Sequence, residues 1–189
     1  YAADVDHFSS IEPTGDGYLF ASRHLDALYM VNKATGAIEW KLGGSATDRS
    51  LTVVGDVYDH PLGAPHDARV LPDGSVTVVD DGLGWSRVPR VVRYRIDAAA
   101  RTATIISTFT KSTIHGSNCC GSARTLSNGN TVVGWGANNS FDELDQAGNP
   151  LLTMVLPVGM PSYRVQPITD SRVTAAYLRG AMDKSLTVK

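Results

Sequence analysis

Residues 66–79 read HDARVLPDGSVTVV, and this stretch decides the fold class. A short apolar run leads into the turn Pro72-Asp73-Gly74, and the β-branched run Val76-Thr77-Val78-Val79 follows the turn. Two β-rich runs joined by a glycine turn are typical of an antiparallel hairpin. The stretch therefore predicts two paired strands, with His66 and Arg69 at the start of the first one.

The sequence pattern of residues 66–74 occurs two more times in the chain. Gly121-Ser122-Ala123-Arg124 aligns without gaps with His66-Asp67-Ala68-Arg69, because each begins eight residues before a turn glycine. His7-Phe8-Ser9-Ser10 fits the same pattern if its turn, which ends at Gly17, is two residues longer. Repeats place equivalent residues at equivalent points of a symmetric fold. Polar side chains from different repeats are therefore expected to converge on one region.

Each phrase opens a longer unit of four short strands that are separated by Gly, Asn, Asp and Pro turns. The predicted strands are 11–12, 18–22, 27–32 and 37–42 in the first unit, 68–71, 75–80, 88–97 and 102–108 in the second, and 122–126, 131–135, 141–145 and 151–156 in the third. Four antiparallel strands in an up-and-down meander make one blade of a β-propeller. Helical periodicity is hard to find outside the last stretch of the chain.

The sequence thus predicts an all-β fold, namely a β-propeller of four-stranded antiparallel blades. The repeats give about three and a half blades, at 7–45, 66–110, 120–158 and a partial blade at 160–189 with strands at Ser162–Val165 and Arg172–Tyr177. Propellers close with about 4 to 8 blades. Residues 1–189 are therefore expected to form one domain that is the C-terminal part of a larger propeller. Remaining blades or another chain would cover its open faces.

Composition excludes several classes of function. With 42% hydrophobic and 19% charged residues, the chain has the make-up of an ordinary globular protein. A formal net charge of -2 gives no support for a nucleic-acid partner. No apolar run approaches the roughly 20 residues that a membrane span needs. The chain opens at Tyr1 with no initiator Met and no signal peptide, which predicts a processed or truncated start.

The two cysteines, Cys119 and Cys120, are adjacent. A bridge between neighbours closes only a small ring and cannot join distant elements. We expect two independent small side chains on opposite sides of a strand. The alternative is a redox or metal pair, for which no CxxC or Cys/His spacing is present.

Candidate chemistry lies where the first strand of each blade begins. In a propeller this strand lines the central channel, so the equivalent positions of His7 and His66 face one mouth of it. Arg23 and His24 follow the second strand of the first unit, and alternate turns of a meander lie at opposite ends, which brings both residues to the same mouth. Further candidates for this pocket are Arg69, Arg124, Arg164 and, less directly, His115.

Imidazoles and guanidiniums together suit a tetrahedral oxyanion, because arginine offers a planar fork of donors. A neutral histidine is also a competent nucleophile or general base near neutral pH. Other uses stay open. Arg69 and Arg124 serve equally well as salt bridges between blades, and His60 and His24 fit ordinary surface positions. Three imidazoles could hold a metal, but no Asp, Glu or Cys completes a recognisable ligand set, so no metal is predicted.

Seven segments share the pattern of one known family. They are HFSSIE (7–12), SRH (22–24), GAIEWKLGG (36–44), HDAR (66–69), CCGSAR (119–124), NGNT (128–131) and SYR (162–164). In these segments the chain resembles the arylsulfotransferase family, in its actinobacterial and fungal branch. The resemblance covers the chain up to about Arg172, and the WKLGG and HDAR segments together are fairly specific.

The resemblance implies a six-bladed propeller enzyme, secreted or in the cell envelope, that works without a cofactor. Such an enzyme transfers a sulfuryl group from an aryl sulfate to a phenol without a nucleotide sulfate donor. By similarity, His66 matches the histidine that becomes sulfated, His7 matches a second active-site histidine, and Arg23 matches the arginine that holds the sulfate. Ser9 stands where the family usually has Asn, which leaves a shorter hydrogen-bonding side chain beside the substrate.

Two other function classes compete with the transferase. One is a non-catalytic binding or scaffolding propeller that keeps the geometry and has lost turnover. The other is a metal-dependent hydrolase or lyase built on the histidines. Turnover of a chromogenic aryl sulfate, with and without a phenol acceptor, separates the three.

Overall fold

The chain folds into three β-sheets that follow one another in sequence order. The computed structural model describes residues 4–187, without the side chains of residues 185–187. The first sheet contains β1 (Phe8–Pro13), β2 (Gly17–Ser22), β3 (Ala27–Asn32) and β4 (Ile38–Gly43), paired in that order and antiparallel throughout. The prediction of an all-β fold with antiparallel four-stranded sheets is confirmed.

The middle sheet has one strand more than predicted. It contains β5 (Thr52–Val54), β6 (Pro65–Val70), β7 (Val76–Asp80), β8 (Arg90–Asp97) and β9 (Thr102–Thr110), in the spatial order β5-β9-β8-β7-β6. The sequence predicts a loop across residues 43–65, but β5 lies within it and runs parallel to β9. The three residues Thr52–Val54 are too few for a pattern to be read from sequence, and the exposed edge of β9 supplies the hydrogen bonds that order them.

The third sheet repeats the plan of the first. It contains β10 (Ser122–Thr125), β11 (Thr131–Gly134), β12 (Ser140–Leu144) and β13 (Pro150–Val155), in sequence order and antiparallel. Tight turns join the strands, and the β10–β11 turn ends at Gly129, whose φ of 87° is a conformation that glycine adopts without steric cost.

The end of the chain differs from the expected fourth blade. Residues 156–174 contain no strand, and residues from Ala175 form helix α1 (Ala175–Thr187), so the predicted strands at Ser162–Val165 and Arg172–Tyr177 are both wrong. The Thr174 hydroxyl accepts a hydrogen bond from the Tyr177 backbone N–H at 3.0 Å, which caps the helix. Ala175, Ala176 and the following residues are good helix formers, and this local preference decides the segment. Among the described residues, no helix is both long and apolar enough to cross a membrane.

The core lies between the sheets. One apolar cluster joins the first and middle sheets and includes Leu19, Leu28 and Val78, all fully buried. A second cluster joins the middle and third sheets and includes Val79 and Val133. Neighbouring residues of β7 therefore point to opposite faces, as strand geometry requires, and the middle sheet is packed on both sides. This sandwiching is the arrangement of successive propeller blades.

The strands that open the three sequence repeats, β1, β6 and β10, lie side by side. The Ser10 hydroxyl of β1 accepts a hydrogen bond from the Ala68 N–H of β6 at 3.0 Å. Asp67 of β6 accepts one from the Ala123 N–H of β10 at 2.9 Å. Strands β1, β6 and β10 consequently line one edge of the molecule, and their starting residues lie at the same end of it.

Candidate functional site

His66 is the buried centre of the candidate site. It is the second residue of β6 and only 5% of its surface is exposed. Its Nδ1 lies 2.9 Å from the Ala64 carbonyl oxygen, and its Nε2 lies 3.0 Å from the Cys120 backbone nitrogen. The carbonyl can only accept and the amide can only donate. His66 is therefore a neutral imidazole with its proton on Nδ1 and its lone pair on Nε2.

Asp81 stands behind His66. Its Oδ2 lies 3.3 Å from Nδ1 of His66, and its side chain is 1% exposed. Neither carboxylate oxygen has a hydrogen bond of ordinary geometry among the described residues. Burial raises the pKa of Asp81, and the nearby His66 and Ser117 side chains oppose that rise only in part. The site thus contains an Asp81–His66 pair in which Nδ1 of the imidazole faces the carboxylate and Nε2 faces the Cys120 N–H.

A loop of the third blade covers the outer side of His66. Cys119 and Cys120 in this loop are joined by a disulfide, so the prediction of two independent small side chains is wrong. Cys120 has a φ of 76°, which removes the alternation of side chains that a strand would impose. The Cys120 N–H donates to Nε2 of His66, and the Ser117 hydroxyl donates to the Cys119 carbonyl at 2.8 Å. We call residues 117–121 the cap.

Arg23 reaches the same cap from the first blade. One guanidinium nitrogen, Nη2, donates to the Asn118 carbonyl at 2.9 Å. Its backbone N–H donates to the His7 carbonyl at 3.0 Å, which holds the end of β2 against the start of β1. The guanidinium of Arg23 and the imidazole of His66 therefore contact backbone groups that are two residues apart.

Ser9 and Arg164 complete the surroundings of the strand starts. The Ser9 hydroxyl donates to the Pro65 carbonyl at 2.6 Å, directly before His66. Arg164 Nη2 donates to the Ser9 carbonyl at 3.1 Å, across 155 residues of sequence. The structure therefore brings Ser9, Arg23, His66 and Arg164 to one end of the molecule. Ser9 acts there on the backbone that carries His66.

His7 lies at this end too, but its ring is directed toward solvent. Its Nδ1 is 2.5 Å from Asp4 Oδ2, and its ring centroid is 4.7 Å from that of His24. His24 Nδ1 lies 2.6 Å from the Asp4 carbonyl. Asp4, His7 and His24 are all exposed, and their ligand atoms lie within 4.8 Å of one another. Two imidazoles and a carboxylate are the group in the described part of the chain that could hold a transition metal. Asp4 is a partner that sequence spacing did not single out.

Arg69 and Arg124 make ion pairs deeper along the channel edge. Both contact the fully buried Asp67, which lies on β6 with Arg69 and faces Arg124 of β10, and Arg69 also contacts Glu12 of β1. The two guanidiniums line a cavity of about 960 Å³. The carboxylates of Asp67 and Glu12 balance the two guanidinium charges. These contacts agree with the alternative that Arg69 and Arg124 form salt bridges between blades. Their predicted role in substrate binding stays a prediction.

Comparison with known families identifies the family of the chain. A profile described as arylsulfotransferase (ASST) matches residues 1–156, which include all three sheets. The chain belongs to the arylsulfotransferase family. The resemblance seen in the HDAR and WKLGG segments is thereby confirmed. No curated protein matches the chain.

Solved structures place this arylsulfotransferase-family chain among β-propellers. A β-propeller domain of Cps50 (Swd1) from Myceliophteria thermophila aligns with a TM-score of 0.53 at 12% identity, over 81% of this chain and 45% of that one. A protein of unknown function from Bacteroides caccae aligns with a TM-score of 0.51 at 16% identity, over 82% of this chain and 47% of that one. The chain thus spans about half the length of these structures, and the likeness concerns the fold alone.

Two parts of the site were missed by sequence reasoning. Asp81 directly precedes Gly82 and fits an ordinary turn in the sequence, and the Cys120 backbone N–H has no signature in sequence. The register of β6 and β7 could have indicated Asp81, because Pro65 pairs with Asp80 and His66 pairs with Val79. A carboxylate one residue beyond the paired strand lies at the same end as His66.

Proposed function

We propose that this chain is an arylsulfotransferase-like protein that moves a sulfuryl group from an aryl sulfate to a phenol. His66 is the nucleophile, and no nucleotide sulfate donor or cofactor takes part. The observation that carries the proposal is the state of His66, a buried neutral imidazole whose Nδ1 proton is held by Ala64 and whose Nε2 lone pair is directed at the cap. Membership of the arylsulfotransferase family supports the choice of substrate class.

In the first step, Nε2 of His66 attacks the sulfur of the aryl sulfate. The N–S bond forms as the bond between sulfur and the aryl oxygen breaks, and the aryl group leaves as a phenolate that solvent protonates. Arg23 donates to the other sulfate oxygens. His7 also donates to them once its ring turns from solvent and Asp4 into the site, and it becomes neutral by losing a proton to solvent before the second step. Donors that are already oriented toward developing charge are usually the largest contribution to catalysis.

In the second step, an acceptor phenol removes the group from sulfo-His66. His7 accepts the phenol proton, the phenol oxygen attacks sulfur, and the N–S bond returns its electron pair to Nε2. Ser9 and Arg164 support both steps, since Ser9 holds the Pro65 carbonyl and Arg164 holds Ser9. Arg69 and Arg124 are kept as substrate-binding residues of the proposal, although the cavity that they line does not include His66.

The cap must move before either step begins. Nε2 accepts a hydrogen bond from the Cys120 N–H, and the Arg23 guanidinium donates to Asn118. A sulfate that enters this space replaces both contacts, taking the Arg23 donor and freeing the Nε2 lone pair. The described structure is therefore the resting state of the proposed enzyme.

The test is turnover of a chromogenic aryl sulfate by the purified protein, with and without a phenol acceptor. His66→Asn is expected to abolish phenol release while the protein stays folded, because only the reacting nitrogen is lost. His60→Asn is the matched control, since His60 is an exposed histidine stacked on Trp85 at a ring distance of 3.5 Å. Near-native turnover by H66N would rule out the covalent mechanism.

A second function, a binding propeller without turnover, also has a specific observation behind it. The Ser9 hydroxyl donates to Pro65, and Ala21 lies 3.3 Å away as a second acceptor, so it is already engaged with backbone. Wild-type protein that binds an aryl sulfate at this site but releases no phenol would favour this alternative. The family resemblance also leads us to propose a secreted or cell-envelope location, for which detection of the mature protein outside the cytoplasm is the check.

A further inference from the structure

We infer that Asp81 is a positioning residue that makes His66 a better nucleophile by compensating the positive charge that its imidazole acquires. The inference deepens the proposed function, on which its catalytic part rests. Asp81 directly follows β7, the strand that pairs with β6, so backbone pairing brings its carboxylate beside His66. No substrate contact is assigned to it.

The environment of Asp81 favours a cationic partner. Its side chain is 1% exposed, and its Oδ2 lies 3.3 Å from His66 Nδ1. The neighbouring Asp80 is like-charged, but Arg87 and Arg90 each form an ion pair with Asp80. A buried carboxylate without a compensating charge is costly. In the described part of the chain, the imidazole of His66 lies beside Asp81 and becomes its ion-pair partner only when it acquires a positive charge.

The chemistry of the imidazole explains what this placement does. When Nε2 forms a bond to sulfur, Nδ1 keeps its proton and the ring becomes positively charged. Ala64 already fixes the tautomer, since its carbonyl accepts from Nδ1 at 2.9 Å. A neutral carbonyl cannot match a full positive charge, whereas an ionised carboxylate at 3.3 Å can. Asp81 therefore compensates the positive charge of the His66 imidazole, and Ala64 fixes the orientation of that ring.

The test compares Asp81→Asn with Asp59→Asn, a matched change at an exposed carboxylate of the same region. Removal of a comparable preorganised group lowers kcat by about 100-fold. We expect that loss in D81N with KM nearly unchanged, because Asp81 is buried and does not touch substrate. The melting temperature of D81N should be equal or higher, since the change removes a buried charge. D59N should have the same kcat, KM and melting temperature as the wild type.

A second measurement does not depend on sulfate transfer. Diethyl pyrocarbonate carbethoxylates neutral imidazole nitrogen, forming an N–C bond and releasing carbon dioxide and ethanol. Its rate at His66, followed by peptide mass spectrometry, is compared with the rate at the exposed His115 of the same molecule. We expect about a tenfold slower reaction of His66 in D81N, as nucleophilicity falls with basicity. If D81N does not fold, Asp81→Leu supplies the same comparison without a polar group.

The outcomes separate the two ideas. An unchanged His66 rate in D81N, or a large loss of stability together with unchanged turnover per folded molecule, would overturn the role of Asp81. A slower His66 reaction in D81N alongside wild-type protein that releases no phenol would keep the Asp81–His66 pairing. That second result would remove only the transferase proposal.

Discussion

At the scale of single residues, the two buried aspartates Asp67 and Asp81 differ in how their charge is compensated. Asp67 accepts from Arg69, Arg124 and a backbone N–H, so its charge is well compensated. Asp81 has only His66 as a partner for its charge among the described residues. Burial therefore disfavours the ionised form of Asp81, whereas the two arginines compensate the charge of Asp67.

The poorly compensated charge of Asp81 predicts a pH-dependent effect on stability. Burial raises its pKa in the folded protein above the ordinary value of 3.8. The folded state therefore holds this proton more tightly, and the wild type loses stability as pH rises from 3.8 through the raised pKa. D81N lacks this loss, so its free energy of unfolding should exceed that of the wild type at neutral pH. The difference should shrink toward zero in acid.

Urea unfolding of both proteins across this pH range measures the effect. The exposed-site variant D59N serves as the reference for general charge effects. A gap between D81N and the wild type that stays constant with pH would contradict the assignment.

At the scale of structural elements, the cap contains a disulfide, and one of its two cysteines, Cys120, donates a hydrogen bond to His66. The disulfide ties Cys120 to Cys119, and Cys120 keeps a positive φ that non-glycine residues rarely adopt. A thiol reductant, or the double change Cys119→Ser and Cys120→Ser, removes the covalent constraint. We expect Cys120 to leave this conformation more readily, which breaks its hydrogen bond to Nε2.

The rate of carbethoxylation of His66 by diethyl pyrocarbonate reports on the cap. It should rise several-fold after reduction, while the rate at exposed His115 stays the same. An equal rate before and after reduction would mean that the disulfide does not hold the cap.

The contact between blades leads to another prediction at this scale. Asp67→Asn leaves the Arg69 and Arg124 guanidiniums without their shared carboxylate, and breaking a buried pair costs about 3 to 5 kcal/mol. Asp73→Asn removes the exposed pair with Arg93 and should cost less than about 1 kcal/mol. Denaturant unfolding compares the two variants. Similar small losses in both would show that Asp67 does not couple the sheets.

At the scale of the whole molecule, the two outer sheets expose apolar side chains. Phe8 and Ile11 of β1 are 51% and 52% exposed, and Leu151 and Val155 of β13 are 60% and 68% exposed. The middle sheet is covered on both sides by comparison. We propose that further blades or another chain cover these faces. Residues 1–189 alone should therefore self-associate at micromolar concentration.

Sedimentation of residues 1–189 and of variants tests this proposal. Leu151→Lys with Val155→Lys should reduce association, because charge on the face opposes apolar contact. Val158→Lys is the control, since Val158 is 98% exposed but lies in a loop outside the sheet. A monomeric wild-type chain would contradict the proposed covering of the faces.

The repeated sequence pattern was enough to predict the antiparallel sheets, the turns and the common end of His7, His66 and Gly121. These features are local, because strand alternation and glycine turns depend on neighbouring residues. The sequence pattern predicted a strand at Arg172–Tyr177, where the Thr174 hydroxyl instead caps a helix. It also did not predict β5, because this short strand forms only by pairing with the edge of β9. Three contacts are visible only in the folded chain: Asp81 lies beside His66, the Cys120 N–H donates to His66, and Asp67 pairs with both Arg69 and Arg124. The physical reason is that these contacts join residues from separate strands and loops. Their distances depend on how the sheets pack, which no local pattern records.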